Sequence, residues 1–201
     1  MLRIMIGLAS GAVVVLSLVF RQLVPVAELS EKVTPTSDPL EAVRDRSLLG
    51  VTRDVSTYPA IRAQLGDHPA IRHFPQTIPS DATDVHFYFR PDFLQGGTSL
   101  QLRLTLPREQ IDQLYSQFKD QAIRQYFGGD ANTHVNLPNG VPTTFFFTSG
   151  SETRSFPETY EILVLGAESR GDPDFTWNHG TTYGVAIDVS ASVIVFWLED
   201  W

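Results

Sequence analysis

With 201 residues, an apolar fraction of 42%, no cysteine and a formal net charge of −8, the chain holds material for one globular domain. The lack of cysteine excludes a disulfide framework, a thiol nucleophile and a lipid-modified cysteine. All 23 acidic residues fall from Glu28 onward, against 13 of the 15 basic ones, and the resulting net of −10 speaks against nucleic acid as a partner.

The chain opens on an apolar run. No charged residue lies between Ile4 and Phe20, and Leu23, Val24 and Val26 extend the run beyond Arg21. About 20 residues at 1.5 Å each span a hydrocarbon core of about 30 Å, so residues 1–26 read as a single transmembrane helix. A cleaved signal peptide is the alternative, giving a secreted product. Against it stand a three-residue n-region and the poor cleavage flank Leu23-Val24-Pro25-Val26-Ala27. The short N-terminal tail favours a cytoplasmic N-terminus and an extracytoplasmic remainder.

Residues 27–37 are polar, contain Pro35, and read as a tether. Residues 38–201 form the expected domain. Asp38, Pro39 and Glu41 make a helix start with a capping box, and Gly50 supplies its stop. Pro59-Ala60-Ile61-Arg62 recurs as Pro69-Ala70-Ile71-Arg72, which predicts two consecutive short helices, each opened by its proline.

Strand patterning begins at Asp84. Val85, Phe87 and Phe89 alternate with His86, Tyr88 and Arg90, and Leu100 to Leu106 alternate with Gln101, Arg103 and Thr105, which predicts an antiparallel hairpin. Pro107 opens a helix with Ile111, Leu114, Tyr115, Phe118 and Ala122 on one face, expected to end near Gly128-Gly129. Four further strands are predicted at 143–148, 159–166, 181–189 and 192–198, the last two joined by a tight turn at Ser190-Ala191. Several are apolar on both faces, as strands covered on both sides are. The order predicts an α+β fold: a mainly antiparallel sheet of about six strands, one main amphipathic helix and short N-terminal helices, preceded by the transmembrane helix.

Two clusters have ligand-binding chemistry. His86, Tyr88, Arg90, Gln101 and Arg103 share one face of the first hairpin, where two guanidinium groups beside Tyr and His suit an anionic or carbohydrate group. Cross-strand pairing on a solvated face accounts for the same residues without a ligand. In the loop from Ala167 to Gly180, Asp172, Asp174 and His179 offer ligands for a metal ion. The run begins like a calcium loop, but Trp177 stands in place of the turn glycine and Tyr183 in place of the closing glutamate. No nucleophile elbow, phosphate loop or His-Glu-x-x-His motif occurs, and no cofactor is called for.

These features point to a membrane-anchored domain that binds a ligand or a protein partner in the cell envelope. The absence of any Asn-x-Ser/Thr site is in keeping with a bacterial source. An envelope hydrolase or metal-dependent enzyme using the loop Asp/His cluster is the alternative.

Overall fold

The computed structural model describes residues 50–91, 97–174 and 176–201. The expected membrane segment, the tether and the helix opening at Asp38 lie outside the described residues. Among the described residues no helix is long and apolar enough to cross a membrane.

Six strands form one antiparallel sheet: β1 (Thr83–Arg90), β2 (Ser99–Thr105), β3 (Arg124–Phe127), β4 (Glu161–Ser169), β5 (Gly180–Asp188) and β6 (Val193–Asp200). Their spatial order is β1-β2-β6-β5-β4-β3. The two hairpins read from the sequence are present, β1 with β2 and β5 with β6. Placing β6 between them joins both into a single sheet. In the β5–β6 turn, Asp188 accepts hydrogen bonds from the Ser190 hydroxyl (2.6 Å) and the Ala191 amide (2.9 Å), while Ser192 takes a positive φ of 59°.

Two helices accompany the sheet, α1 (Tyr58–Leu65) and α2 (Arg108–Gln121). The Pro-Ala-Ile-Arg echo has the expected outcome. Pro59 sits in the first turn of α1, and Pro69 opens a 3-10 turn over Pro69–Ile71 in which the Ala70 amide donates to the His68 ring.

Period-2 alternation sends side chains to both faces, and both are apolar at the centre of the sheet. One face carries Phe87, Phe89, Leu100, Leu102, Leu104, Val185, Ile194 and Phe196, packed under α1, the Pro69 turn and α2. The opposite face carries Ile162, Val164, Ala186, Val195 and Trp197, covered by residues of the long irregular connection between β3 and β4, notably Phe146, Phe156 and Tyr160.

Two expectations are corrected. The strand expected at 143–148 is irregular chain. Its Thr/Phe alternation is real, but the segment lies across a sheet face, so Phe146 turns into the core beside Phe156 (ring centroids 4.4 Å) and no strand edge is offered to it. In exchange, α2 stops at Gln121, short of Gly128-Gly129. Ala122 turns extended (ψ 127°), the Ile123 amide donates to the Val164 carbonyl (2.8 Å), and the chain joins the edge of β4 as β3. A β-forming run, Ile123 to Phe127, overrides continuation of the helix.

Gly184 is required by close approach. A Cβ there would overlap the Leu163 carbonyl across β4 and press on the Val164 backbone, neither of which is a movable side-chain end. Gly184→Ala is expected to destabilise the domain by about 1–3 kcal/mol, read as a lower urea midpoint with an unchanged m value.

Candidate functional site

A cavity of about 900 Å³ lies on the helical face of the sheet. One wall is α2, the other is the chain from Pro69 to Pro79, and the floor includes Leu104, Leu165 and Phe196. The helix supplies two stripes at once. Ile111, Leu114 and Phe118 pack into the core, while Gln110, Gln113, Gln117 and Gln121, spaced three, four and four residues apart, line the cavity from the side. Gln110 is tied by its amide to the Asp81 carboxylate. Gln113, Gln117 and Gln121 are exposed along the rim.

Tyr183 closes the deep end. Its ring lies where a Cβ on Gly166 would stand, and it stacks on His73 at 5.6 Å and 27°. Beyond it a second cavity of about 430 Å³ shares Pro69, Leu165 and Tyr183 with the first. His73 is fixed from behind by a contact of 3.2 Å between Nε2 and the Trp197 carbonyl. A carbonyl only accepts, so Nε2 carries the proton and Nδ1 is left as a buried acceptor with no partner. Part of the residue meets the groove, but the ring is enclosed, and burial lowers its pKa to about 3. The imidazole is therefore neutral throughout the physiological range. Among the described residues no carboxylate lines this cavity, and Arg72 is its one charged side chain.

The first-hairpin cluster sits on the opposite face. His86 pairs with Arg103, and Tyr88 with Gln101, so those four share the expected face, with Arg90 one row further along. The face is not solvated. Residues 143–149 lie over it as a strap. Gln101, fully buried, donates to Thr144 Oγ1 (2.6 Å) and to the Phe145 carbonyl, and accepts from the Thr148 amide and hydroxyl (both 3.3 Å). Arg103 donates to the Thr148 (2.7 Å) and Ser149 (3.1 Å) carbonyls. Tyr88 stacks on Phe147 at 4.5 Å and 9°, with the Arg53 guanidinium 4.8 Å from the Tyr88 ring centre.

A bulge in β1 puts Asp84 at φ 46° and aims its carboxylate at both His86 (2.9 Å) and Arg103 (2.6 Å). The His86 hydrogen bond, with Arg103 adding to it, holds the Asp84 pKa below the usual carboxylate value. At the far end of the face, Arg90 donates to Ser99 Oγ (2.9 Å), which donates to Glu199 (2.6 Å). The polar groups read as a ligand-binding face are thus largely engaged with the chain itself.

The loop cluster is dispersed. Asp172, Asp174 and His179 are all exposed, and among the described residues no group of three His, Asp or Glu side chains stands close enough to hold a metal ion. The backbone accounts for this. Trp177, at φ 67°, donates its amide to Ser169 Oγ (3.1 Å), and its carbonyl accepts from the Trp201 indole (2.8 Å), so the loop is pinned by tryptophan packing at its C-terminal end.

No family model, no curated protein and no solved structure matches this chain.

Gln101→Leu keeps the volume and removes the amide. The Thr148 amide and Phe145 carbonyl then lose a buried partner, at an expected cost of about 1–3 kcal/mol, measured by thermal and urea denaturation of the variant against the parent.

Proposed function

We propose that this chain is a membrane-tethered, extracytoplasmic binding domain of the bacterial cell envelope, and that its recognition site is the groove between α2 and the sheet. The observation that carries this reading is the composition of the groove: a volume of about 900 Å³, an apolar floor, and a row of amide side chains on one rim. Concave sites with a mostly apolar lining and a few directed polar groups are where small ligands are held. Amides donate and accept without charge, so the fitting ligand is uncharged and amphipathic, with an apolar face for Leu104, Leu165 and Phe196 and hydroxyl or amide groups for Gln113, Gln117 and Gln121.

Binding is favoured over catalysis by the same lining. General acid–base chemistry uses groups that titrate near the working pH. Among the described residues the groove has no carboxylate, and its histidine is held neutral down to about pH 3. The anchoring and the side of the membrane rest on the apolar run Ile4 to Phe20 and the polar tether after it.

The chain has no cysteine, so a single introduced thiol can be labelled cleanly. In the full chain, Gln117→Cys carrying an environment-sensitive fluorophore is expected to respond saturably to short-chain alkyl glycosides below their micellar concentration. The same label on Ser151→Cys, an exposed position that does not line the groove, is expected to stay silent. A response of equal size at both positions, or at neither, overturns the reading.

A further inference from the structure

Among the described residues, Glu199 is the one carboxylate that ties the strap to the sheet. It lies in β6, directly across from Ser99 in β2 and Thr182 in β5, and so faces the strap side. Its neighbour Asp200 alternates to the other face and is bound there by Arg170 (2.5 Å) and Thr181 (2.5 Å). Oε2 of Glu199 accepts from Ser99 Oγ at 2.6 Å, and Oε1 contacts Thr144 Oγ1 at 2.5 Å. The residue is half-buried, and both carboxylate oxygens are taken up by hydroxyls of the fold.

The charged and titratable groups facing it are few. From β1 come Arg90, which reaches it through the Ser99 hydroxyl, and Tyr88; β2, β5 and the strap offer the hydroxyls of Ser99, Thr182 and Thr144. Among the described residues no cation touches the carboxylate directly.

The Thr144 hydroxyl is the hinge of the arrangement. It has one proton and two acceptors in reach, Glu199 Oε1 at 2.5 Å and the Phe145 carbonyl at 3.0 Å. When Glu199 is protonated, its own O–H donates to Thr144 Oγ1, and Thr144 donates to the Phe145 carbonyl; every group is then satisfied and neutral. When Glu199 is ionised, Thr144 turns to the carboxylate, and an enclosed charge remains with hydroxyl donors only. Such a charge is costly to keep from water. On the same face, Arg90 Nε, Thr182 Oγ1 and Trp197 Nε1 are buried without partners, so admitting water relieves them too.

We infer that the strap, residues 143–149, is a proton-controlled cover: closed on the sheet while Glu199 holds a proton, and released from it as Glu199 ionises. Release uncovers the Tyr88–Phe147 stack and frees Phe145, already 40% exposed, as an aromatic surface. Burial raises the Glu199 pKa to about 7. A carboxyl raised in the fold favours the closed, protonated form below that value. The preference is complete below the ordinary glutamate range and is lost as pH rises through about 7.

Hydrogen exchange of the full chain tests this. The Phe146 and Thr148 amides, which donate to the Arg154 carbonyl (2.5 Å) and to Gln101 (3.3 Å), report strap closure. After correction for intrinsic exchange, their protection is expected to fall at least about tenfold between about pH 5.5 and pH 8. The amides of β4 and β5 should not change. Glu199→Gln, a neutral isostere, should keep the strap protected at both pH values. Equal protection at the two pH values in the parent chain overturns the inference, as does a variant that loses protection with pH as the parent does. If the variant does not fold, the carboxyl carbon resonance of Glu199 in the parent decides: a titration midpoint that coincides with the loss of strap protection supports the cover, and one more than a unit away from it sinks the idea.

Discussion

Strands β5 and β6 carry apolar side chains on both faces, and the rest of the described domain is arranged to keep both faces from water. A helix can cover one of them. The other is covered by the long connection between β3 and β4, which is irregular chain apart from a 3-10 turn over Thr133–Asn136. Irregular chain brings its own backbone N–H and C=O groups into the interior, and each needs a partner. The side chains of β2 supply part of that need. Gln101 and Arg103 project from the sheet to bind the strap backbone as a neighbouring strand would otherwise have done.

The two covers therefore differ in character. On the helical face, α2 satisfies its own backbone and needs only to present apolar side chains. Its remaining flank is free for amides, and a groove results. On the strap face the cover depends on a chain of hydrogen bonds running from Arg90 through Ser99, Glu199 and Thr144 to Gln101. Such a network holds firmly when all its members agree on where the protons are, and loosens when one member changes charge. The proposed recognition groove and the proposed proton-controlled cover thus lie on opposite faces of the same six strands.

Much of the architecture is legible in the residues, because burial has a period. The alternation at 85–89 and 100–106, the doubly apolar strands near the C-terminus and the Pro-opened short helices all follow from local pattern. The boundary of α2 does not, since Gly128-Gly129 is a valid stop signal that the chain never reaches; the competing edge of β4 is 40 residues away in sequence. The strap shows a related failure. Thr143 to Thr148 has strand composition and alternation, but a strand exists only where another offers an edge. The site follows the same logic. That His86, Tyr88, Gln101 and Arg103 share a face is readable from spacing, while the strap that covers them is a long-range fact. The amide row at 110, 113, 117 and 121 is visible at helical spacing once polar as well as apolar positions are followed around the helix. Glu199 and His73 have no sequence signal, since each depends on enclosure by elements far away in the chain.

Both edges of the sheet are blunt. At one, Thr52 bridges Phe89 through two backbone hydrogen bonds of 2.9 and 3.0 Å; at the other, β3 is four residues long, and its Tyr126 hydroxyl takes a hydrogen bond from the Val141 amide (3.2 Å) in the passing chain. An antiparallel sheet left open at its margins invites a second copy to add its strands, and crowding copies together makes that polymerisation easier. A bridge at one margin and a four-residue strand at the other leave less open edge for a second copy to pair with.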